Sequence, residues 1–179
     1  PKTISNFTKN VEMIFNKKRD LLIVVGGGSL PPQLYDRPHE DELQPNRDRM
    51  EEQVIHYCVA HGIPIIATCR GMQYINVMFG GKLWYHPKLP VNRTRGVDHQ
   101  VWLVKEQRNI WVNNYHSDCI YEEGLASCFE PLAIDRENHV VEAYGSDEMK
   151  ILALQWHPER RFETANAYEE TRKIILDFI

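Results

Sequence analysis

The stretch Ile63–Gln73, IPIIATCRGMQ, decides how this chain is read. The apolar run Ile63-Pro64-Ile65-Ile66-Ala67 stops abruptly at Thr68-Cys69-Arg70-Gly71. Met72 to Phe79 then continues with helical spacing. A buried strand that turns sharply into a helix, with a cysteine at the corner, is a nucleophile elbow. The corner holds the thiol clear of the sheet. It also aims the first backbone N–H groups of the helix at whatever the thiol attacks. Ala67 and Gly71, two residues to either side, supply the small side chains such a corner needs. The same letters also describe a buried strand with an inert core cysteine, because free cysteine is commonly buried.

Upstream, Leu21–Val25 reads as a fully buried parallel strand and runs straight into Gly26-Gly27-Gly28-Ser29. A glycine cluster at the carboxyl end of a parallel strand is where an open α/β sheet binds its ligand. A flexible turn is the alternative. A helix is expected at Phe7–Lys17, with Val11, Ile14 and Phe15 on one face. Leu30–Asn46 is a long loop with four prolines. A helix comes next, over Arg47–His61, with Met50, Val54, Ile55 and Cys58 inward and Gly62 as its stop. Gly80-Gly81 ends the helix after the elbow. Helix, strand, helix, strand, helix predicts a three-layer α/β/α fold with a mostly parallel central sheet.

After Gly81 the pattern changes. Lys82–Gly96 is irregular and holds Arg93 and Arg95. Val97–Val104 alternates like a half-buried strand, and Ile110–Val112 leads into Asn113-Asn114-Tyr115-His116-Ser117. Leu132–Ile134 and Val140–Tyr144 read as a β-pair. Ile151–Gln155 is an aliphatic strand that runs into Trp156-His157-Pro158-Glu159. A last helix is expected over Phe162–Phe178, with Ala165, Tyr168, Ile174, Ile175 and Phe178 on its apolar side. No repeat or linker interrupts residues 1–179, which predicts one domain.

Composition sets the bounds. The 179 residues are 42% hydrophobic and 26% charged, ordinary for a globular domain with a real core. A net charge of −4 gives no reason to expect a nucleic-acid partner, and no apolar run is long enough to span a membrane. The four cysteines have no C-x-x-C spacing, which predicts a reducing, cytoplasmic setting. The eight histidines show no H-x-x-x-H or H-E-x-x-H pair, so no metal site is expected.

A cysteine nucleophile needs a base, and the base needs an orienting partner. His157 directly follows an aliphatic strand, which places it at the same rim of the sheet. Pro158 stiffens the backbone after it, and Glu159, two residues on, points to the same side in extended geometry. Cys69, His157 and Glu159 therefore make a candidate triad. A surface turn is the plainer reading of H-P-E alone. Taken together, however, three aliphatic strands each end in something reactive, and parallel strands would converge on one crevice.

The runs VVGGGSLPPQLY, RDRMEEQVIHYCVAHGIPIIATCRGMQYINVMFGGKL, DHQV, VNNYHSD, VVEAYG and LALQWHPE, in this order, resemble the class I glutamine amidotransferase superfamily. The closest branch is that of the γ-glutamyl hydrolases, which are cysteine peptidases. The resemblance implies a flavodoxin-like fold, Cys69, His157 and Glu159 as the triad, and an oxyanion hole from Gly27 and the backbone of Arg70. It implies that Gln73, with the backbone near Asn114, Tyr115 and His116, holds the amino-acid end of a γ-glutamyl group. The reaction would form a γ-glutamyl thioester, release an amine, and hydrolyse to glutamate, with no metal or organic cofactor. Arg70 and the SLPPQLY loop favour a stand-alone hydrolase over a glutaminase subunit that feeds ammonia to a partner synthase. A homodimer stays open, and a non-catalytic module that kept the fold is a third reading.

The chain also departs from that pattern. NNYHSD stands where the family commonly has NSxHHQ, keeping His116 but placing Ser117 and Asp118 after it. The family's first strand has no counterpart ahead of Phe7 in this numbering. Arg70, Arg93, Arg95, Arg160 and Arg161 either form a cationic rim for an anionic leaving group or are solvated surface arginines. Expected leaving groups include aminobutyrate, a polyamine and a CDP-amidate.

Overall fold

The computed structural model describes residues 20–35, 43–85 and 94–179. The helix expected at Phe7–Lys17, part of the proline-rich loop and Arg93 lie outside the described residues. Seven strands form one sheet: β1 (Leu22–Val24), β2 (Ile65–Thr68), β3 (His99–Leu103), β4 (Arg108–Val112), β5 (Glu130–Asp135), β6 (Val140–Ser146) and β7 (Ile151–Leu154). Their order is β1-β2-β7-β6-β5-β3-β4. β1 pairs parallel with β2, and β2 with β7; the remaining ladders are antiparallel. In direction, β1, β2, β7, β5 and β4 run one way, and among the described strands only β6 and β3 are reversed. The sheet is therefore mostly parallel in sense, with its truly parallel ladders confined to the three strands that carry the motifs.

Side-chain alternation along those strands divides the core into two layers. Ile65, Ala67, Ile151 and Ala153 join Val24 on one face, against Ile55 and Cys58 of α1 (Pro45–His61) and Met72 and Ile75 of α2 (Arg70–Met78). Ile66, Leu152, Leu154 and Trp156 face the other way, against Ile174, Ile175 and Phe178 of α3 (Ala167–Phe178). Gly62 ends α1 in the left-handed conformation, φ 64°, as its position after the last apolar turn predicts.

Four details differ from the sequence reading. β1 is not fully buried: Ile23 is 57% and Val25 51% exposed, because β1 is the outermost of the described strands. Met50 is exposed, since it falls on the outer side of α1. The last helix starts at Ala167 rather than Phe162. The Asp98 carboxylate accepts the backbone N–H groups of Glu163 (2.8 Å) and Thr164 (2.7 Å), and Asn166 sits at φ 69°, so residues 162–166 form a turn. Ala165 thus precedes the helix, and Tyr168 is exposed on it.

Register brings the strand ends together. Val24 lies beside Ala67, Ala67 beside Ala153, and Thr68 beside Leu154. Gly71, in the first turn of α2, allows that helix to close on β1: a Cβ there would lie 2.3 Å from the Val24 carbonyl oxygen. Gly71→Ala should therefore lower the unfolding free energy by about 1–3 kcal/mol, the usual cost of overpacking a filled site. Urea denaturation measures it, and an unchanged midpoint would show that the elbow tolerates the extra methyl.

Candidate active site

Cys69 occupies the corner between β2 and α2 at φ 50°, ψ −111°, a conformation rare for a non-glycine residue. Its own N–H donates to the Leu154 carbonyl of β7 (2.8 Å), so the corner is fastened to the neighbouring strand. The thiol sits half-buried at a cleft of about 180 Å³ that also reaches Gly27, Gly28 and Ser29 after β1. Burial pushes the thiol up from its ordinary value. The His116 charge, the Arg70 N–H and the Arg160 charge pull the other way.

His157 follows β7 and comes to the same spot. A Cβ built on Gly26 would lie 2.7 Å from His157 Cε1 and 3.6 Å from Cys69 Cβ, so the bare α-carbon of Gly26 is packed against both residues. The His157 Nδ1 is 2.6 Å from Glu159 Oε1, which fixes the proton on that nitrogen and leaves Nε2 as the acceptor of the neutral ring. Asn113 secures the His157 backbone twice. Its Oδ1 accepts the His157 N–H (2.9 Å) and its Nδ2 donates to the His157 carbonyl (2.8 Å). Tyr115 presses edge-to-face on the imidazole at 5.7 Å between ring centres. Burial lowers the His157 pKa and Glu159 opposes that shift, so the ring is neutral at neutral pH.

Arg70 is the first residue of α2, and its side chain turns away from the cleft. It is 1% exposed and pairs with Asp48 and with Glu51 (2.6 Å) of α1. It therefore cannot belong to a cationic rim, because its charge is consumed inside the protein. Arg161 does not line the cleft. Arg95 does, and Arg160 stacks over the Tyr115 ring at 4.4 Å. Among the described residues, neither of these two guanidinium groups has a carboxylate partner within 4.0 Å.

Gln73, Tyr115 and His116 line the cleft together with Ser117 and Asp118. The Gln73 amide donates to the Asp118 carbonyl (3.0 Å) and to Gln155 Oε1 (3.2 Å). With both amide protons engaged, what Gln73 can offer a ligand is its carbonyl oxygen, an acceptor suited to an ammonium group. Asn114 is not in the wall. It is fully buried and holds the Thr94–Gly96 segment from behind, donating to the Thr94 carbonyl (3.3 Å) and accepting the Gly96 N–H (2.6 Å). Burial would depress His116, but fully buried Glu142, 3.5 Å away, prevails and holds it well above the ordinary imidazole value. Among the described residues, no group of three or more His, Cys, Asp or Glu could hold a metal ion.

The sequence alone assigned no individual role to Gly26, Asn113, Glu142 or the α1 residues Arg47, Asp48 and Glu51. Gly26 carried a signal, as one of three consecutive glycines. The polar residues did not, because nothing in a lone sequence says which carboxylate meets which arginine.

The His157 shift has a sign that can be measured. The imidazole should titrate below its ordinary 6.5 because burial outweighs Glu159. Glu159→Gln removes the opposing charge and should move the midpoint further down, followed by NMR of the labelled ring. An upward move would mean that Glu159 does not face the imidazole in solution.

Among proteins of known sequence, the chain is 30% identical over 164 residues to the glutamine amidotransferase-like protein YvdE of Lactococcus lactis, covering 81% of this chain and 68% of YvdE. It is 26% identical to the γ-glutamyl-γ-aminobutyrate hydrolase PuuD of Escherichia coli, covering 83% and 67%. Among solved structures, a protein from Thermoplasma acidophilum described as a GMP synthase subunit superposes with a TM-score of 0.62 at 20% identity, over 96% of this chain and 78% of that one. The model of the Peptidase C26 family matches residues 8–159, a span that holds the elbow, the strand-end glycines and the His157–Glu159 pair, and the chain belongs to that family of glutamine amidotransferase-like hydrolases.

Proposed function

We propose that the chain hydrolyses a γ-glutamyl amide through Cys69, His157 and Glu159. The observation that carries this reading is the meeting at Gly26 of the Cys69 corner and an imidazole whose far nitrogen is held by Glu159 at 2.6 Å. His157 Nε2 takes the thiol proton, and the thiolate attacks the γ-carbonyl carbon. The negative charge that develops on the carbonyl oxygen is met by the backbone N–H groups of Gly27 and Arg70. His157 returns the proton to the amide nitrogen, the C–N bond breaks, and the amine leaves. Water, deprotonated by the same imidazole, then attacks the γ-glutamyl thioester and releases glutamate and the free thiol. Gln73, with its free carbonyl, and the wall at Tyr115 and His116 receive the amino-acid end of the γ-glutamyl group.

The activity for which PuuD is named favours an aminobutyrate-type leaving group. Arg95 and Arg160 support the same direction: they favour a leaving group with a carboxylate, or a phosphate as in a CDP-amidate, over a cationic polyamine.

Incubation with γ-glutamyl-aminobutyrate, quenched in acid, should trap a γ-glutamyl adduct on Cys69 by mass spectrometry. Cys69→Ala should abolish turnover while its melting temperature stays near that of the parent. An adduct on Cys58 instead, or undiminished turnover in Cys69→Ala, would refute the reading. Turnover of glutamine alone, and only with a synthase added, would assign the chain to ammonia delivery. A γ-glutamyl polyamine turned over as fast as γ-glutamyl-aminobutyrate would remove the arginines from leaving-group selection.

A further inference from the structure

The run RDRMEE has no part in the chemistry above, yet the structure fastens it to both ends of the oxyanion site. Arg47 reaches from α1 to the end of β1. Its Nη2 donates to the Val25 carbonyl (2.6 Å) and its Nη1 to the Gly26 carbonyl (3.1 Å). The Gly26 carbonyl and the Gly27 N–H belong to one trans peptide unit and point in opposite directions. Holding the carbonyl toward α1 therefore fixes where the Gly27 N–H points. The guanidinium also lies against Gly27, where a Cβ would stand 2.2 Å from Nη1. A side chain at Gly27 would have to displace the Arg47 guanidinium from this position.

The second donor of the pair is the Arg70 N–H, and Arg70 is tied to the same carboxylate as Arg47. Glu51 Oε1 accepts Arg47 Nε (2.6 Å), and Glu51 Oε2 accepts Arg70 Nη1 (2.6 Å). Gln44 Oε1 steadies Arg47 Nη1 from the other side (3.0 Å), and Asp48 takes the second Arg70 nitrogen. One carboxylate thus bridges two guanidinium groups, one gripping the β1-end peptide and the other belonging to the elbow residue itself. Charge-assisted bonds of this kind are short and geometrically demanding.

We propose that Arg47 and Glu51 are positioning residues that set the direction and spacing of the two oxyanion donors, Gly27 N–H and Arg70 N–H. Neither touches the substrate; both act through the peptide units they hold. The inference rests on the hydrolase reading above. It adds that α1, a helix outside the cleft, is a working part of the transition-state site.

The test separates attack on a carbonyl from reactivity of the thiol. Iodoacetamide alkylates Cys69 by displacement at a saturated carbon, with no oxyanion, whereas γ-glutamyl-p-nitroanilide forms one. Arg47→Lys keeps the charge but cannot serve two carbonyls and Glu51 at once. Glu51→Gln keeps the shape but loses the charged bridge. In both variants kcat for the anilide should fall about 10- to 100-fold, part of the roughly 10²–10³ that loss of one oxyanion donor costs. KM and the plateau rate of Cys69 alkylation should stay within about two-fold. Equal kcat in parent and variants would overturn the proposal, as would a parallel fall in alkylation, which would mean that the elbow itself had been disturbed. If the parent protein neither turns over the anilide nor forms a thioester, the hydrolase reading fails and this inference with it.

Discussion

Everything in the cleft depends on Cys69 being held at φ 50°. A non-glycine residue in such a conformation costs about 1–3 kcal/mol and persists only where its surroundings over-determine it. Four constraints do so. β7 receives the Cys69 N–H at Leu154. α2 closes on β1 across Gly71 with no room for a methyl group, and Tyr144 donates to the Met72 carbonyl (2.6 Å) from β6. Buried Arg70 is clamped to α1 immediately after the corner. The strain is therefore borne by sheet register and helix packing rather than by the loop.

Burial and charge then divide the work among the ionisable groups. Arg70 is charged and buried, and it is tolerated because Asp48 and Glu51 meet it; removing one partner would leave an uncompensated charge in the interior. His116 is buried beside Glu142, which raises its pKa, whereas His157 is buried beside a largely exposed Glu159 and its pKa is lowered. The two shifts run in opposite directions, and the carboxylates beside the two histidines differ in solvation. A fully buried carboxylate pulls strongly on a neighbouring proton, and a solvated one is screened.

Much of the fold was legible in local pattern. The aliphatic runs at β2 and β7, Gly62, Gly80 and the alternation in β3 each reported an element correctly, because each depends on near neighbours in the chain. The misreadings occurred where a distant residue intervened. Asp98 captured two N–H groups and delayed α3 by five residues, and the exposed side of β1 follows from its place in the described sheet. Neither is written in the local letters.

The sequence by itself determined the elbow, the strand ends that surround it and the presence there of a cysteine, a histidine and a glutamate. All of these depend on the order of apolar and small residues along one chain. Tertiary structure alone decided the placement of the polar partners. It turned the Arg70 side chain inward, left Arg95 at the cleft and laid Arg160 over the Tyr115 ring. It put Asn114 behind the wall, and it joined Arg47, Glu51 and Arg70 into one bridge across α1, β1 and α2. A charged side chain adopts its role from whichever opposite charge or carbonyl the fold brings within about 3 Å, and that choice is made between segments far apart in sequence.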